Sequence, residues 1–164
     1  LREAALLQEA GQPDVRFALD LCDDPLRASV DATMISQALT NLIKNAGEAI
    51  ESLNEAGAPE GHVPQIRISS SIEDGQAVLR IADNGIGLPE DRSRLFEPYV
   101  TTREKGTGLG LPIVKKIIEE HGGTLALEDA PAFAEGARCG AMAVVRLPLL
   151  AEGQDVATVE QQAV

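Results

Sequence analysis

Asp83-Asn84-Gly85-Ile86-Gly87 and Gly106-Thr107-Gly108-Leu109-Gly110-Leu111 stand at opposite ends of one loop, and their reading decides the fold. Either motif alone reads as an ordinary turn, because glycine is the default residue wherever φ must be positive. Order and company carry the information. A helix bearing Asn41 and Asn45 comes first, then a strand ending in Asp-x-Gly-x-Gly, then a loop with Phe96-Glu97-Pro98-Tyr99, then a glycine-rich turn that opens a second helix. Together they point to a nucleotide site.

Outward from that loop the pattern is α/β. Upstream, Ile66, Ile68, Ser70 and Ile72 alternate, as do Val78, Arg80 and Ala82 against Leu79 and Ile81, with Glu73-Asp74-Gly75 between them as a hairpin turn. Asp31 can cap a helix running to about Leu53, with Ile35, Leu39, Leu42, Ile43, Ala46 and Ile50 as its apolar stripe. Asn54 to Pro64 reads as an exposed Gly/Pro loop. Before the helix, Val15 to Leu21 alternates as a half-buried strand, and Arg27 to Val30 reads as a short second strand after the turn at Asp23-Asp24-Pro25. Leu1 to Glu9 is a helix end with Leu1, Ala5 and Leu6 on one face, stopped by Gly11 and Pro13. Downstream, Leu111 to His121 forms the second long helix, closed by Gly122-Gly123. Strands Thr124 to Glu128 and Ala141 to Leu147 follow, and the polar, aperiodic Ala151 to Val164 reads as a disordered tail. This order predicts an α/β sandwich, one mixed sheet covered by helices on one face.

Composition narrows the function classes. At 164 residues the chain suits one domain with a real core. Hydrophobic residues make up 44%, yet aromatics are 2% and Trp is absent, so Leu, Ile, Val and Ala must build that core. A net charge of −12 argues against a nucleic-acid surface, which needs clustered Lys and Arg. An acidic chain still binds a nucleotide where backbone amides, a few cations and a metal ion act locally. Cys22 and Cys139 suggest neither a disulfide framework nor a metal site and read as reduced thiols in a cytoplasmic setting. No run of about 18 apolar residues and no basic-then-apolar leader occurs, so no membrane contact is expected of this stretch. The chain begins at Leu1 within a helical pattern, which reads as a piece of a longer protein that can itself be membrane-anchored.

Over roughly residues 15 to 148 these motifs, in this order, resemble the catalytic ATP-binding domain of sensor histidine kinases, within the superfamily of gyrase-type ATPases, Hsp90 and MutL. The wording from Phe96 to Leu111 is similar to nitrogen-regulation sensor kinases. The resemblance implies a two-layer sandwich of the Bergerat type, with a mixed, mostly antiparallel sheet. It also implies three regions: residues 1–12 as the end of a dimerisation helix, 13–150 as the ATP-binding catalytic domain, and 151–164 as the tail.

The implied ligands are ATP and Mg²⁺. Asn41 and Asn45, four apart, share one helix face beside Lys44 and Glu48. By resemblance Asn45 is the Mg²⁺ ligand, while Asn41 and Lys44 lie near the phosphates; the competing reading is a solvated helix face. Asp83, at a strand end, can accept a hydrogen bond from the adenine amine, with Gly85 and Gly87 letting the backbone pass close to the base. Gly106, Thr107, Gly108, Leu109 and Gly110 bring amides to the triphosphate at a helix N-terminus. Residues 88 to 107 would form a lid carrying Thr101, Thr102, Arg103 and Lys105, read as phosphate contacts or as solvated loop groups. Phe96 and Tyr99 would anchor the lid, meet a partner domain, or form a local cluster.

Position 41 separates branches of the superfamily. Gyrase-type ATPases hold a glutamate base four residues before the metal-binding asparagine; Asn41 cannot take that proton. In histidine kinases the nucleophile is an imidazole from another domain. Neither His62, in a loop, nor His121, followed by Gly122, fits a phosphoacceptor. The expected partners are therefore a helical-hairpin dimerisation and phosphoacceptor domain of the same kinase and a response regulator. The fragment alone would be monomeric and its parent homodimeric. An ATPase or conformational switch of the same fold, and a degenerate regulatory nucleotide-binding module, stay open as alternatives.

Overall fold

A computed structural model describes residues 1–99 and 110–151. Among these, five strands form one sheet in the order β1-β2-β3-β5-β4, with β1 (Arg16–Asp20), β2 (Gln65–Glu73), β3 (Gln76–Asp83), β4 (Thr124–Asp129) and β5 (Ala141–Pro148). Only the β1–β2 pair is parallel; the others are antiparallel. Helices α1 (Arg2–Gly11), α2 (Ala32–Gly57) and α3 (Gly110–Glu120) pack against one face. The expected two-layer sandwich is thus observed.

Strand alternation decides which face the helices cover. Ile66 and Ile68 of β2, Leu79 and Ile81 of β3, and Ala143, Val145 and Leu147 of β5 join the core beneath α2 and α3. The facing stripe comes from Ile35, Leu39, Leu42, Ile43, Ala46 and Ile50 of α2 and from Val114, Ile117 and Ile118 of α3. Among the described residues the most enclosed large side chains are aliphatic, led by Ile43, Ile66, Ile68, Ile118 and Val145, as an aromatic-poor chain requires.

The ends are set by local chemistry. Asp31 caps α2, its Oδ1 accepting from Met34 N–H at 2.9 Å. The β2–β3 turn has Asp74 at φ 50° and Gly75 at φ 72°, the two positive values of a type I′ hairpin. Helix α3 ends where Gly122 turns left-handed at φ 73°, with Gly123 N–H reaching Ile118 O at 2.9 Å and Gly122 N–H reaching Glu119 O at 3.0 Å.

Three sequence expectations need correction. Arg27 to Val30 is not a strand; its backbone link is Leu150 N–H to Arg27 O at 2.8 Å, and β1 pairs instead with β2. One such bond cannot propagate a ladder. Helix α2 runs on to Gly57, because Asn54, Glu55 and Ala56 extend it until Gly57 at φ 94° stops it. On α1 the buried pair is Ala4 and Ala5, while Leu6 faces outward. The tail reading falls outside the described residues apart from Ala151. Among the described residues no helix is long and apolar enough to cross a membrane.

Candidate functional site

Strand β3 occupies the middle of the sheet, and its odd-numbered residues face the helices, so Asp83 ends the strand on that side. It is 4% exposed, a buried charge at the strand's mouth. Its Oδ1 accepts from Gly85 N–H at 2.8 Å and from Ala141 N–H at 3.4 Å. These donors fix the carboxylate's orientation.

The turn that follows lies against α2. Ile86 N–H donates to Ala49 O at 3.0 Å, and a Cβ on Gly85 would overlap the backbone of Ala49 and Ile50. Ala49 is one turn beyond Asn45, so the Asp83–Gly87 turn is docked one helical turn from that side chain. Gly87 has φ 85°, a conformation glycine adopts freely. Asn84 serves the scaffold instead: its Oδ1 accepts from Gln65 N–H at 2.9 Å and its Nδ2 donates to Val63 O at 2.8 Å.

The third motif arrives through α3. A Cβ on Gly110, the helix's first residue, would sit 3.9 Å from Asn45 Oδ1 and 4.0 Å from its Nδ2. The open amides of α3 therefore start beside Asn45, where the helix dipole favours an anion. Asn41, one turn earlier on α2, is half-buried on the same face. Lys44 is exposed, pairs with Glu48 at 3.8 Å, and borders a groove between α1 and α2 with Gln12, Gly47 and Glu51. Thr101, Thr102, Arg103, Lys105, Gly106, Thr107, Gly108 and Leu109 lie outside the described residues.

The segment leading out of the site is fastened down. Arg92 Nη2 grips Asp129 with two bonds of 2.7 and 2.9 Å. Hydrogen bonds from the Ser93 hydroxyl and backbone hold the Asp91 carboxyl below its ordinary range. Arg94 is raised by its bond to Glu97. Phe96 packs against the core with Lys115 Nζ 4.9 Å from its ring centroid, whereas Tyr99 is 79% exposed. The aromatic pair thus divides, one inward and one outward.

The residues missed by sequence reasoning come from the β4–β5 loop. Gly140 sits on the Asp83 carbonyl, where a Cβ would clash, and Arg138 Nη2 donates to Ile86 O at 2.9 Å. A glycine opening a strand is a weak signal, and a lone arginine in a loop is none. Among the described residues two surface depressions stand out: the 650 Å³ groove beside α1 that Lys44 borders, and a 260 Å³ hollow on the uncovered sheet face lined by Arg67, Arg80, Phe133 and Met142. Neither is lined by Asp83.

Comparison with known proteins agrees with this geometry. A family model described as histidine kinase-, DNA gyrase B-, and HSP90-like ATPase matches residues 30–151. The chain is 47% identical over 154 residues to nitrogen regulation protein NtrY of Azorhizobium caulinodans, covering 93% of this chain and 18% of that protein. It is 39% identical over 105 residues to the sensory histidine kinase/phosphatase NtrB of Rhodobacter capsulatus, covering 62% of this chain and 30% of that protein. The chain thus spans less than a third of either relative. Among solved structures, the catalytic domain of histidine kinase ThkA superposes with a TM-score of 0.72 at 30% identity, covering 90% of this chain and 89% of that one. A mycobacterial sensor histidine kinase, MprB, superposes equally well, TM-score 0.72 at 26% identity over 90% of this chain and 91% of that one.

Proposed function

The chain belongs to the histidine kinase-, DNA gyrase B- and HSP90-like ATPase family, as an ATP-binding domain of the histidine kinase type, and from that premise we propose that it holds Mg-ATP and presents the γ-phosphate to a histidine on a separate helical-hairpin domain, for relay to a response regulator. The observation that carries this reading is the meeting of three remote motifs around one stretch of α2: Gly110 beside the Asn45 amide, and the Asp83–Gly85 turn against Ala49.

Each group then has a task. Asp83, its Oδ1 held by two amides, accepts from the adenine exocyclic amine. Gly85 and Gly87 keep the turn's backbone free of side chains beside the base. The amides opening α3, with Arg103, Lys105, Thr102 and the glycines from Gly106 to Gly110, receive the triphosphate. Asn41 and Lys44 lie toward its outer end.

The donor set fits Mg²⁺. Asn45 would hold the ion through its neutral amide oxygen, a hard ligand of the kind Mg²⁺ takes alongside phosphates and water. Mg²⁺ would supply charge neutralisation at the transferring phosphoryl group. Everything else is positioning, because Asn41 offers no base and the nucleophile comes from another domain. Residues 13–150 are read as the catalytic unit and 1–12 as the end of the connecting helix. The parent protein would be a homodimer, anchored to a membrane or free in the cytoplasm.

The test extends the native gene upstream to include the preceding helical hairpin, then incubates the product with γ-labelled ATP and Mg²⁺. Acid-labile, alkali-stable label on the protein, absent in Asn45→Ala, is the expected result. Saturable ATP binding without such label would move the assignment to an ATPase switch or a regulatory binding module.

A further inference from the structure

The turn carrying Gly85 and Gly87 is held from two sides. On the helix side it is docked through Ile86 N–H to Ala49 O. On the other side stands the β4–β5 loop, residues 130–140, closed at its base by Ala130 N–H donating to Gly140 O at 3.0 Å. Phe133 pins this loop to the uncovered sheet face: Arg67 Nη2 donates to Phe133 O at 3.0 Å, and the Arg67 guanidinium lies 4.0 Å from the ring centroid. With its far part anchored, the loop's returning limb runs along the turn. Arg138 Nη2 donates to Ile86 O at 2.9 Å, and the Cys139 carbonyl oxygen is 3.4 Å from where a Cβ on Gly87 would stand.

This arrangement gives Arg138 a task distinct from that of the carboxylate. Asp83 accepts from the Gly85 and Ala141 amides, whereas the Arg138 guanidinium donates to the Ile86 carbonyl. The Ile86–Gly87 peptide depends on that bond, since Gly87, at φ 85°, has no Cβ to restrict rotation on that side. We propose that Arg138 is a positioning residue of the base pocket, one that sets the Ile86–Gly87 backbone against which adenine is placed and acts through that backbone without touching the phosphates. The proposal rests on the ATP reading above.

The experiment titrates the 164-residue chain with Mg-ATP and with Mg-GTP, comparing wild type, Arg138→Ala and Arg138→Lys. One hydrogen bond is at stake, so Arg138→Ala is expected to weaken ATP by about three- to tenfold. GTP affinity is expected to stay unchanged, shrinking the adenine-over-guanine preference by the same factor. Arg138→Lys, which can still donate to Ile86 O, should recover most of the loss. An ATP affinity unaltered in Arg138→Ala would overturn the proposal. So would equal weakening of ATP and GTP, which marks general charge attraction, or a failure of lysine to rescue. A wild-type chain that binds no ATP would instead overturn the nucleotide reading, and the role of Arg138 with it.

Discussion

Asp83 joins a fold feature, its bonds to two backbone amides, to the proposed contact with adenine. One oxygen is occupied by Gly85 and Ala141 amides, and the carboxylate is the proposed acceptor for adenine. Asp83→Asn keeps an oxygen for Gly85 and puts an N–H₂ where the second oxygen stood. Its thermal midpoint should stay close to wild type while ATP affinity falls by about tenfold or more, the scale of a charged hydrogen bond. Because an amide donor suits a carbonyl, GTP should gain relative to ATP; equal loss of both would exclude this role. On the uncovered face, Glu73 receives Ser71, Arg80 at 2.8 and 2.9 Å, and Arg146 at 3.5 Å. Its pKa is lowered, first by the Ser71 bond and then by Arg80. A carboxylate with a depressed folded pKa stabilises the fold above its unfolded value and loses that contribution as pH falls through the folded value. Melting curves from pH 6 downward should therefore fall less steeply below about pH 4.5 for Glu73→Gln than for wild type.

At the scale of elements, α2 supplies both the core and the site. Its cap holds the first turn, so that fraying does not run toward Asn41 and Asn45. Asp31→Ala should cost about 1 kcal/mol in denaturant unfolding, with little change in the slope. The loss stays limited because Asp31 N–H is also held, donating to His121 Nε2 at 3.0 Å while His121 Nδ1 donates to Ile117 O at 2.7 Å. That ring links the end of α3 to the start of α2 and braces the two helices. The start of α2 and the stop of α3 were legible from their cap residues, Asp31 and Gly122-Gly123, whereas the stop of α2 was not. Nor was Arg27 to Val30, because four alternating residues read the same whether or not a partner strand is present; the partner is set by the β1–β2 pairing far away in sequence.

At the scale of the whole molecule, α1 belongs to the same packed body as the sheet, with Ala5 1% exposed within the core that α2 and α3 share. Ala5→Asp should lower stability by about 3 kcal/mol, as burying an unpaired charge does, and a cooperative melt that ignores the substitution would show α1 to be an independent appendage. A net charge of −12 is compatible with the proposed ATP binding, because the proposed site relies on backbone amides and a few local groups and not on a basic surface. The amino-acid sequence by itself determined the three helices and five strands of the sheet, though not the loop character of Arg27 to Val30, and it carried the asparagine and glycine motifs, because caps, alternation and glycine spacing are local properties written within a few residues. Only the tertiary structure decided that Asn84 is scaffold, that Phe96 turns inward and Tyr99 outward, and that Arg138 reaches Ile86 O and Gly140 packs on the Asp83 carbonyl. Those assignments depend on which distant backbone comes within reach, and a chain read one window at a time carries no distances between β3 and the loop joining β4 to β5.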